Sequence, residues 1–291
     1  MTINLESAEQ FIHANARLID RHRLAVLLHG APVEPVLEAL RPYRNSDGGF
    51  GHALEPDVRS PESQPAAVLH ALEILAGVGA LDHQWVADAA DWVAAVAEPD
   101  GGVTTVLPSA AGHPHAPWMV PTSGSGFLTY AISGKLWHAA STHPWLHRAT
   151  EWCWRELEAT DAVGGYTIKF ALDFLDAVPD PRRAAAAVER MRPHIGADGN
   201  VSVPGGTEDE KITPLDLSER PGAPSRDLFT RDQIEADLDR LENEQLDDGG
   251  WDFDFLHWSP GQAVEWRGAA TLRALTTLRA NGRLERTAVP R

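Results

Sequence analysis

The chain has 291 residues, 43% of them hydrophobic, with 42 acidic against 25 basic side chains and a formal net charge of −17. That length and apolar share suffice for a large core, while the acid excess argues against sequence-independent nucleic-acid binding and docking on anionic lipid, both of which need clustered Lys and Arg. Cys153 is the only cysteine, so an intrachain disulfide and a Cys-rich metal site are excluded.

The first residues, Met1 to Glu6, carry no basic segment followed by an apolar run, and no stretch approaches the ~20 apolar residues of a membrane span. The sequence therefore reads as a soluble, cytoplasmic protein. A turn follows at Asn45-Ser46-Asp47-Gly48-Gly49-Phe50. Behind it comes a charged segment, His52 to Arg59, and then Ser60-Pro61, read as a cap and first-turn proline. An all-round apolar helix is expected over 63–76. Trp85, Val86, Ala89, Trp92, Val93 and Val96 keep helical spacing and predict an amphipathic helix over 82–97. The turn recurs at Pro99-Asp100-Gly101-Gly102-Val103, before an irregular stretch from Leu107 to Pro121. Ser123-Gly124-Ser125-Gly126 stands where another apolar helix is expected to start, suited to an anion or to close packing.

A second amphipathic helix is expected over 143–158, and weaker turns at Gly164-Gly165-Tyr166 and Asp198-Gly199-Asn200-Val201. Asp180-Pro181 marks a helix start between them. Val203 to Ser225 is a second irregular stretch, and its Gly205-Gly206 is no phosphate loop because no Gly-Lys-Ser/Thr follows. Thr230-Arg231-Asp232-Gln233 and Ser259-Pro260-Gly261-Gln262 read as capping boxes. They open helices expected near 231–245 and 263–278, the latter ended by Asn281-Gly282. The clearest turn lies between them, at Gln245-Leu246-Asp247-Asp248-Gly249-Gly250-Trp251. Amphipathic helices suit an outer layer and all-round apolar ones an inner layer; the two types alternate along the chain, with the Gly-Gly turn between them.

The frame is Leu, three residues, a polar residue, three residues, Gly, any residue, a large apolar residue. Leu241, Gln245, Gly249 and Trp251 fill it; the other copies place Arg44, Ala97, Thr160 and Ile195 at the Gln position. In this the chain resembles the repeats of triterpene cyclases and protein prenyltransferase β-subunits, where a Gln-x-x-x-Gly-x-Trp frame staples an outer helix to the next inner one. The resemblance covers roughly 35–282 and implies an all-α fold, an α/α toroid of two concentric helix rings with about five or six hairpins, taken as one domain over 1–291. Physically, glycine permits a turn that Cβ would obstruct, and Gln can satisfy free helix-end groups. The family's catalytic motifs do not carry over. No Asp-x-Asp-Asp tetrad occurs, Asp247-Asp248-Gly249-Gly250-Trp251 lacks the last Asp of Asp-Asp-x-x-Asp, and Cys153 on a predicted amphipathic helix reads as packing.

Two segments supply candidate site residues. Asp252 and Asp254 fall on one side of an extended segment and Phe253 and Phe255 on the other. A carboxylate pair beside aromatics suits a general acid, and His257, Trp258 and Trp266 suit contact with a cation or flat apolar ligand. The equivalent segment of the first turn brings His52, Glu55, Asp57 and Arg59 within eight residues, types that suit a charged rim, a metal site or an acid–base pair. Trp118 joins the ligand-contact set. With no ligand-spacing motif, no metal is assigned. The leading expectation is an isoprenoid-cyclase-like or prenyltransferase-like protein holding an apolar small molecule in a central cavity and starting cyclisation by proton transfer from Asp252 or Asp254, with no cofactor, and Mg²⁺ only for a diphosphate substrate. The alternatives are a glycosidase or lyase on an α/α barrel, in which Glu55 and Asp57 face Asp252 and Asp254, and a non-catalytic binding module.

Overall fold

Four turns share one hydrogen-bond pattern. In each, an aspartate immediately before a left-handed glycine accepts the backbone N–H two residues on: Gly49 to Asp47, Gly102 to Asp100, Asn200 to Asp198 and Gly250 to Asp248, all at 2.9–3.0 Å. Gly48, Gly101, Gly199 and Gly249 have φ of 90, 97, 87 and 89°, the region in which an L side chain is strained. The backbone closes each turn twice, as in Asn45 N–H to Gly49 O (3.0 Å) with Gly48 N–H to Asn45 O (3.2 Å), and Leu246 N–H to Gly250 O (2.9 Å) with Gly249 N–H to Leu246 O (2.8 Å). The expected copy at Gly164 is different. Gly164 caps a helix with φ −74°, and Thr160, at its Gln position, lies outside the described residues.

The computed structural model describes residues 3–159 and 164–284. Its helices are α1 (Leu5–Asn15), α2 (Leu18–His29), α3 (Glu34–Leu40), α4 (Pro65–Gly77), α5 (Gln84–Val96), α6 (Leu128–His138), α7 (Pro144–Ala159), α8 (Gly165–Leu175), α9 (Pro181–Met191), α10 (Pro214–Leu217), α11 (Arg231–Asn243) and α12 (Pro260–Ala280). One small antiparallel hairpin, β1 (Val201–Ser202) and β2 (Lys211–Ile212), pairs Val201 with Ile212, its second strand lying inside the second irregular stretch. The fold is thus helical with a minor strand pair. Contacts divide the chain into two compact units, residues 40–192 and residues 1–39 with 193–291, where the sequence reading takes one domain over 1–291.

In the unit 40–192, α4, α6 and α8 pack in succession, and each takes an amphipathic partner, α5, α7 and α9 respectively. Nine of the thirteen residues of α4 are buried, whereas α5, α7 and α9 bury one stripe each. The inner and outer layers expected from apolarity are therefore present in this unit. Where α6 meets α8, Gly134 faces the Asp173 carbonyl and Lys135 holds Asp173 at 2.9 Å. The core holds Trp145, Phe50, Phe174, Leu72 and Leu75 with under 2% exposure, each such side chain contributing roughly 1.5–3 kcal/mol.

In the other unit α12 contacts α1, α2 and α11. The Gln245 side chain donates to Asn4 O and Gly249 O (both 2.9 Å) and accepts Asn4 N–H (2.7 Å). Asn4 is the N-cap of α1, so the glutamine satisfies helix-end groups as its frame implies. Trp251 donates its indole N–H to Leu241 O at 2.7 Å and is 2% exposed.

Two boundary expectations shift and one cap is only half made. Ser60-Pro61 opens no helix: α4 begins at Pro65 behind Gln64, and the Ser60 hydroxyl donates to Glu62 (2.7 Å). The Thr230–Gln233 capping box closes in both directions. Ser259 accepts the Gln262 N–H, but the Gln262 amide turns inward without a protein partner instead of returning to the cap, so that box is half made. With Ser259 as its N-cap, α12 starts at Pro260, three residues before the expected 263.

Candidate functional site

The segment after the first turn is locked by sterics. Gly51 abuts the Pro61 and Glu62 carbonyls, where a Cβ would collide with backbone. His52 and Ala53 then both take left-handed φ, 54 and 60°, a conformation costing on the order of 1 kcal/mol or more per non-glycine residue. His52 is exposed and its Nε2 contacts Asn45 Oδ1 at 2.9 Å. The kink turns the following residues inward, leaving Glu55 and Asp57 only 5% and 4% exposed. A Glu55 carboxyl oxygen accepts the Asp57 backbone N–H at 2.9 Å. Two acidic residues are therefore nearly buried in a loop held in a costly conformation.

The loop carrying Trp118 is pinned to this segment. Val58 bridges His115, Arg59 N–H donates to Pro114 O (2.9 Å), and Ala116 N–H donates to Asp57 O (2.8 Å). Trp118 then stands out at 44% exposure beside Val120 at 45%. Gln64, 2% exposed, braces the same loop from the start of α4: its amide donates to the Ser109 hydroxyl (2.8 Å) and accepts Leu107 N–H (2.9 Å). His52, Glu55, Asp57, Arg59 and Trp118 thus gather in one place, although 59 positions separate Arg59 from Trp118 in the chain.

The second candidate set lies in the unit of residues 1–39 and 193–291. Asp252 and Asp254 are both exposed, and they part company. Asp252 Oδ1 accepts Phe253 N–H (2.9 Å) and lies 3.3 Å from His257 Nε2. Asp254 ties down the hairpin, its carboxylate accepting Lys211 N–H (3.1 Å) and its carbonyl accepting the Thr207 hydroxyl (2.6 Å). The two phenylalanines share a side as the alternation predicts, with ring centroids 4.3 Å apart. Phe253 lies 4.2 Å from the His257 ring, and Phe255 meets Trp266 edge-on at 5.3 Å. Trp258 is half-buried before α12. Among the described residues no group of three or more His, Cys, Asp or Glu is placed to hold a metal ion.

The residues that sequence reasoning missed are the turn aspartates. Asp47 accepts the Trp92 indole N–H (3.1 Å) and the Ser63 hydroxyl (2.8 Å); Asp100 accepts that of Trp152 (3.1 Å) and the Ser125 hydroxyl (2.6 Å). Each joins a turn to the next amphipathic helix and to the segment leading into the next inner one. Burial alone would raise the Asp100 carboxyl, but the Ser125 hydroxyl and Gly102 N–H outweigh it and hold it below the usual carboxylate range. Asp248 is held low chiefly by Arg267, whose two nitrogens reach both its oxygens at 2.9 Å. The signal was the recurring Asp-Gly itself. Ser125 in the Gly-rich segment therefore serves packing, since Gly102 abuts it.

No protein-family model and no curated protein matches the chain. Solved structures do. A protein from Actinoplanes is similar at TM-score 0.55 and 19% identity, over 90% of this chain and 89% of that one. Type II terpene cyclase MstE from Scytonema is similar at TM-score 0.48 and 15% identity, over 93% of this chain and 90% of that one. A variant of it in complex with geranylgeranyl dihydroxybenzoate is similar at TM-score 0.48 and 16% identity, over 93% and 88%. At such identity the likeness is one of fold. Among the described residues no helix is long and apolar enough to cross a membrane.

Proposed function

We propose that this chain binds an apolar, isoprenoid-type small molecule and starts its cyclisation by proton transfer from the Glu55–Asp57 pair. The single-domain toroid expected over 1–291 belongs to the same proposal. Its support at fold level is the Gln245–Gly249–Trp251 staple, which makes the helix-end bonds that the cyclase-like frame requires.

The observation that carries the chemistry is the burial of two carboxyl groups behind the left-handed pair His52–Ala53. Protonating an alkene needs an acid withdrawn from water, and strained backbone persists where its surroundings enforce it. Asp252 and Asp254 meet that requirement less well, being exposed and engaged with His257 and with the hairpin. No metal takes part in alkene protonation of this kind; Mg²⁺ enters only for a diphosphate-bearing substrate. Trp118 supplies an exposed aromatic face on the loop bonded to Asp57, able to rest against a polyene or a developing cation.

The test is incubation with linear polyprenyl alcohols and diphosphates of graded length, with products separated by chromatography. Glu55→Gln and Asp57→Asn are expected to lower turnover about 100-fold or more, at an unchanged circular-dichroism spectrum. Asp252→Asn and Asp254→Asn are expected to leave initiation within a few-fold of the parent. Turnover untouched by both Glu55→Gln and Asp57→Asn would remove that pair from the mechanism.

A further inference from the structure

We propose that the buried amide of Gln262, at the start of α12, anchors an aromatic primary carboxamide. The ligand's amide pairs edge to edge with that of the glutamine, and its ring lies against Trp266. This goes beyond the cyclisation reading and uses neither Glu55 nor Asp57.

Gln262 is fully withdrawn from solvent, yet neither its amide nitrogen nor its carbonyl oxygen has a hydrogen-bond partner among the described residues. Nearly all buried polar atoms in folded proteins are paired, because an unpaired one gives up its bonds to water for nothing. Among the described residues Gln262 is the one side chain in which two buried atoms stand so. Its position offers another use. In a complete capping box the amide returns to the Ser259 backbone N–H. Ser259 Oγ accepts the Gln262 N–H at 3.2 Å, but the amide forgoes its half and points into the protein instead.

The chemistry of the partner follows from what is left to bond. A side-chain amide sets one acceptor and two donors in one plane, so its complement carries a carbonyl and an N–H on one edge. An anion is the usual ligand of a helix start, but Pro260 has no N–H and that of Gln262 is taken by Ser259. A carboxylate would also give nothing to the Gln262 oxygen, and the local sequence is acidic, with Asp252 and Asp254 before the helix and Glu265 in its second turn. A neutral carboxamide meets neither obstacle. Trp266 stands one turn on from Gln262, hence on the same face of α12. It is half-buried, with Phe255 edge-on at 5.3 Å and Phe253 at 6.4 Å, which makes an aromatic ring the fitting body for the ligand.

A group without solvent contact is reached as its surroundings move. The stretch bearing Phe253 and Phe255 is secured at Asp254, to the Lys211 N–H (3.1 Å) and the Thr207 hydroxyl (2.6 Å). Loop bonds of this kind open more readily than those of a regular element.

The test pairs stability with binding, using 2-naphthamide, 2-naphthoate and 2-methylnaphthalene as probes in calorimetric titrations of the full chain. Gln262→Met keeps the length of the side chain and removes its polar atoms. Without ligand this variant is expected to melt about 2–4 °C above the parent, because the unpaired atoms are gone. It is expected to bind 2-naphthamide about 10-fold or more weakly than the parent does, with 2-methylnaphthalene unchanged. The parent is expected to prefer 2-naphthamide to 2-naphthoate. Gln262→Leu repeats the comparison with a different shape, so that a packing fault in one variant leaves the other to decide. Melting below the parent in both variants would show that the protein itself satisfies the amide and would overturn the proposal. So would equal 2-naphthamide binding by parent and variants, or a preference for the carboxylate. Polyprenyl turnover enters none of these readouts, so the cyclisation reading stands or falls separately.

Discussion

At the scale of single residues, charge in this protein is placed according to how far it is withdrawn from water. Asp20 on α2 is fully buried, and burial acting alone would raise its carboxyl. Arg17 (2.9 Å) and Arg23 (3.1 Å) overcome that and hold it below its ordinary value of 3.8. A folded-state value below the unfolded one means that the contribution to stability is present above the unfolded value and is lost as pH falls through the folded value. Asp20→Asn, which removes the carboxylate that Arg17 and Arg23 share, is expected to cost about 3 kcal/mol at pH 7. The gap between parent and variant is expected to narrow below pH 4, in denaturant midpoints taken at steps down to pH 2.5. A gap that stays constant with pH would mean that Asp20 contributes by shape rather than by charge. Glu55 and Asp57 are nearly as buried but lie in a loop with left-handed backbone instead of a regular helix. That contrast, rather than burial alone, sets them apart as functional candidates.

At the scale of elements, the amphipathic helices and the Gly-Gly turns were legible because each rests on local rules, a 3.6-residue period and the tolerance of glycine for positive φ. Trp85, Val86, Ala89, Trp92 and Val93 bury as their spacing predicts, while Val96 at the helix end is only partly covered. What stayed hidden was any bond reaching across the repeat. Trp92 and Asp47 read as a core aromatic and a turn residue, yet they are one staple spanning 45 positions. The site shows the same divide. The gathering of Trp118 with Asp57 depends on a loop–loop bridge that no periodicity announces, and the alternation of Asp252 with Asp254 could not tell which of them would be taken by the hairpin. The turn glycines give an element-level prediction. A Cβ on Gly101 would sit 2.8 Å from the Arg148 carbonyl of α7, and one on Gly249 would fall on the Ser7 carbonyl of α1, both at positive φ. Gly249→Ala and Gly101→Ala are each expected to cost about 1–3 kcal/mol from φ alone, with the collision adding to it. Gly222→Ala shares the positive φ but has open space around it, so thermal melting of the three variants separates the two causes. Equal losses would assign the whole effect to φ.

At the scale of the whole molecule, the first helix does for the last turn what an internal helix does for the earlier ones. Gly48 abuts the Asp88 carbonyl of α5, and Gly249 abuts the Ser7 carbonyl of α1. Trp92 of α5 packs on Gly49 as Phe11 of α1 packs on Gly250. Phe11 has no indole N–H to give, and Arg267 takes over, gripping Asp248 and lying 4.6 Å above the Phe11 ring. Residues far apart in sequence therefore complete one repeat, and α1 is part of the core rather than an extension of it. Removing residues 1–15 uncovers Gly249, Gly250 and the Gln245 amide and forfeits the burial of Ala8, Phe11 and Ile12. Two large side chains at roughly 1.5–3 kcal/mol each, with the cap bonds, come to about 4 kcal/mol or more, a large share of the ~5–15 kcal/mol that holds a domain folded. The shortened protein is expected to melt well below the parent and to bind a hydrophobic dye. A peptide of residues 1–15 added in excess is expected to restore part of the loss, since whatever binds only the folded state stabilises it. A shortened protein melting with the parent would show that the last turn holds without its outer helix, and the equivalence of α1 with α5 would fall.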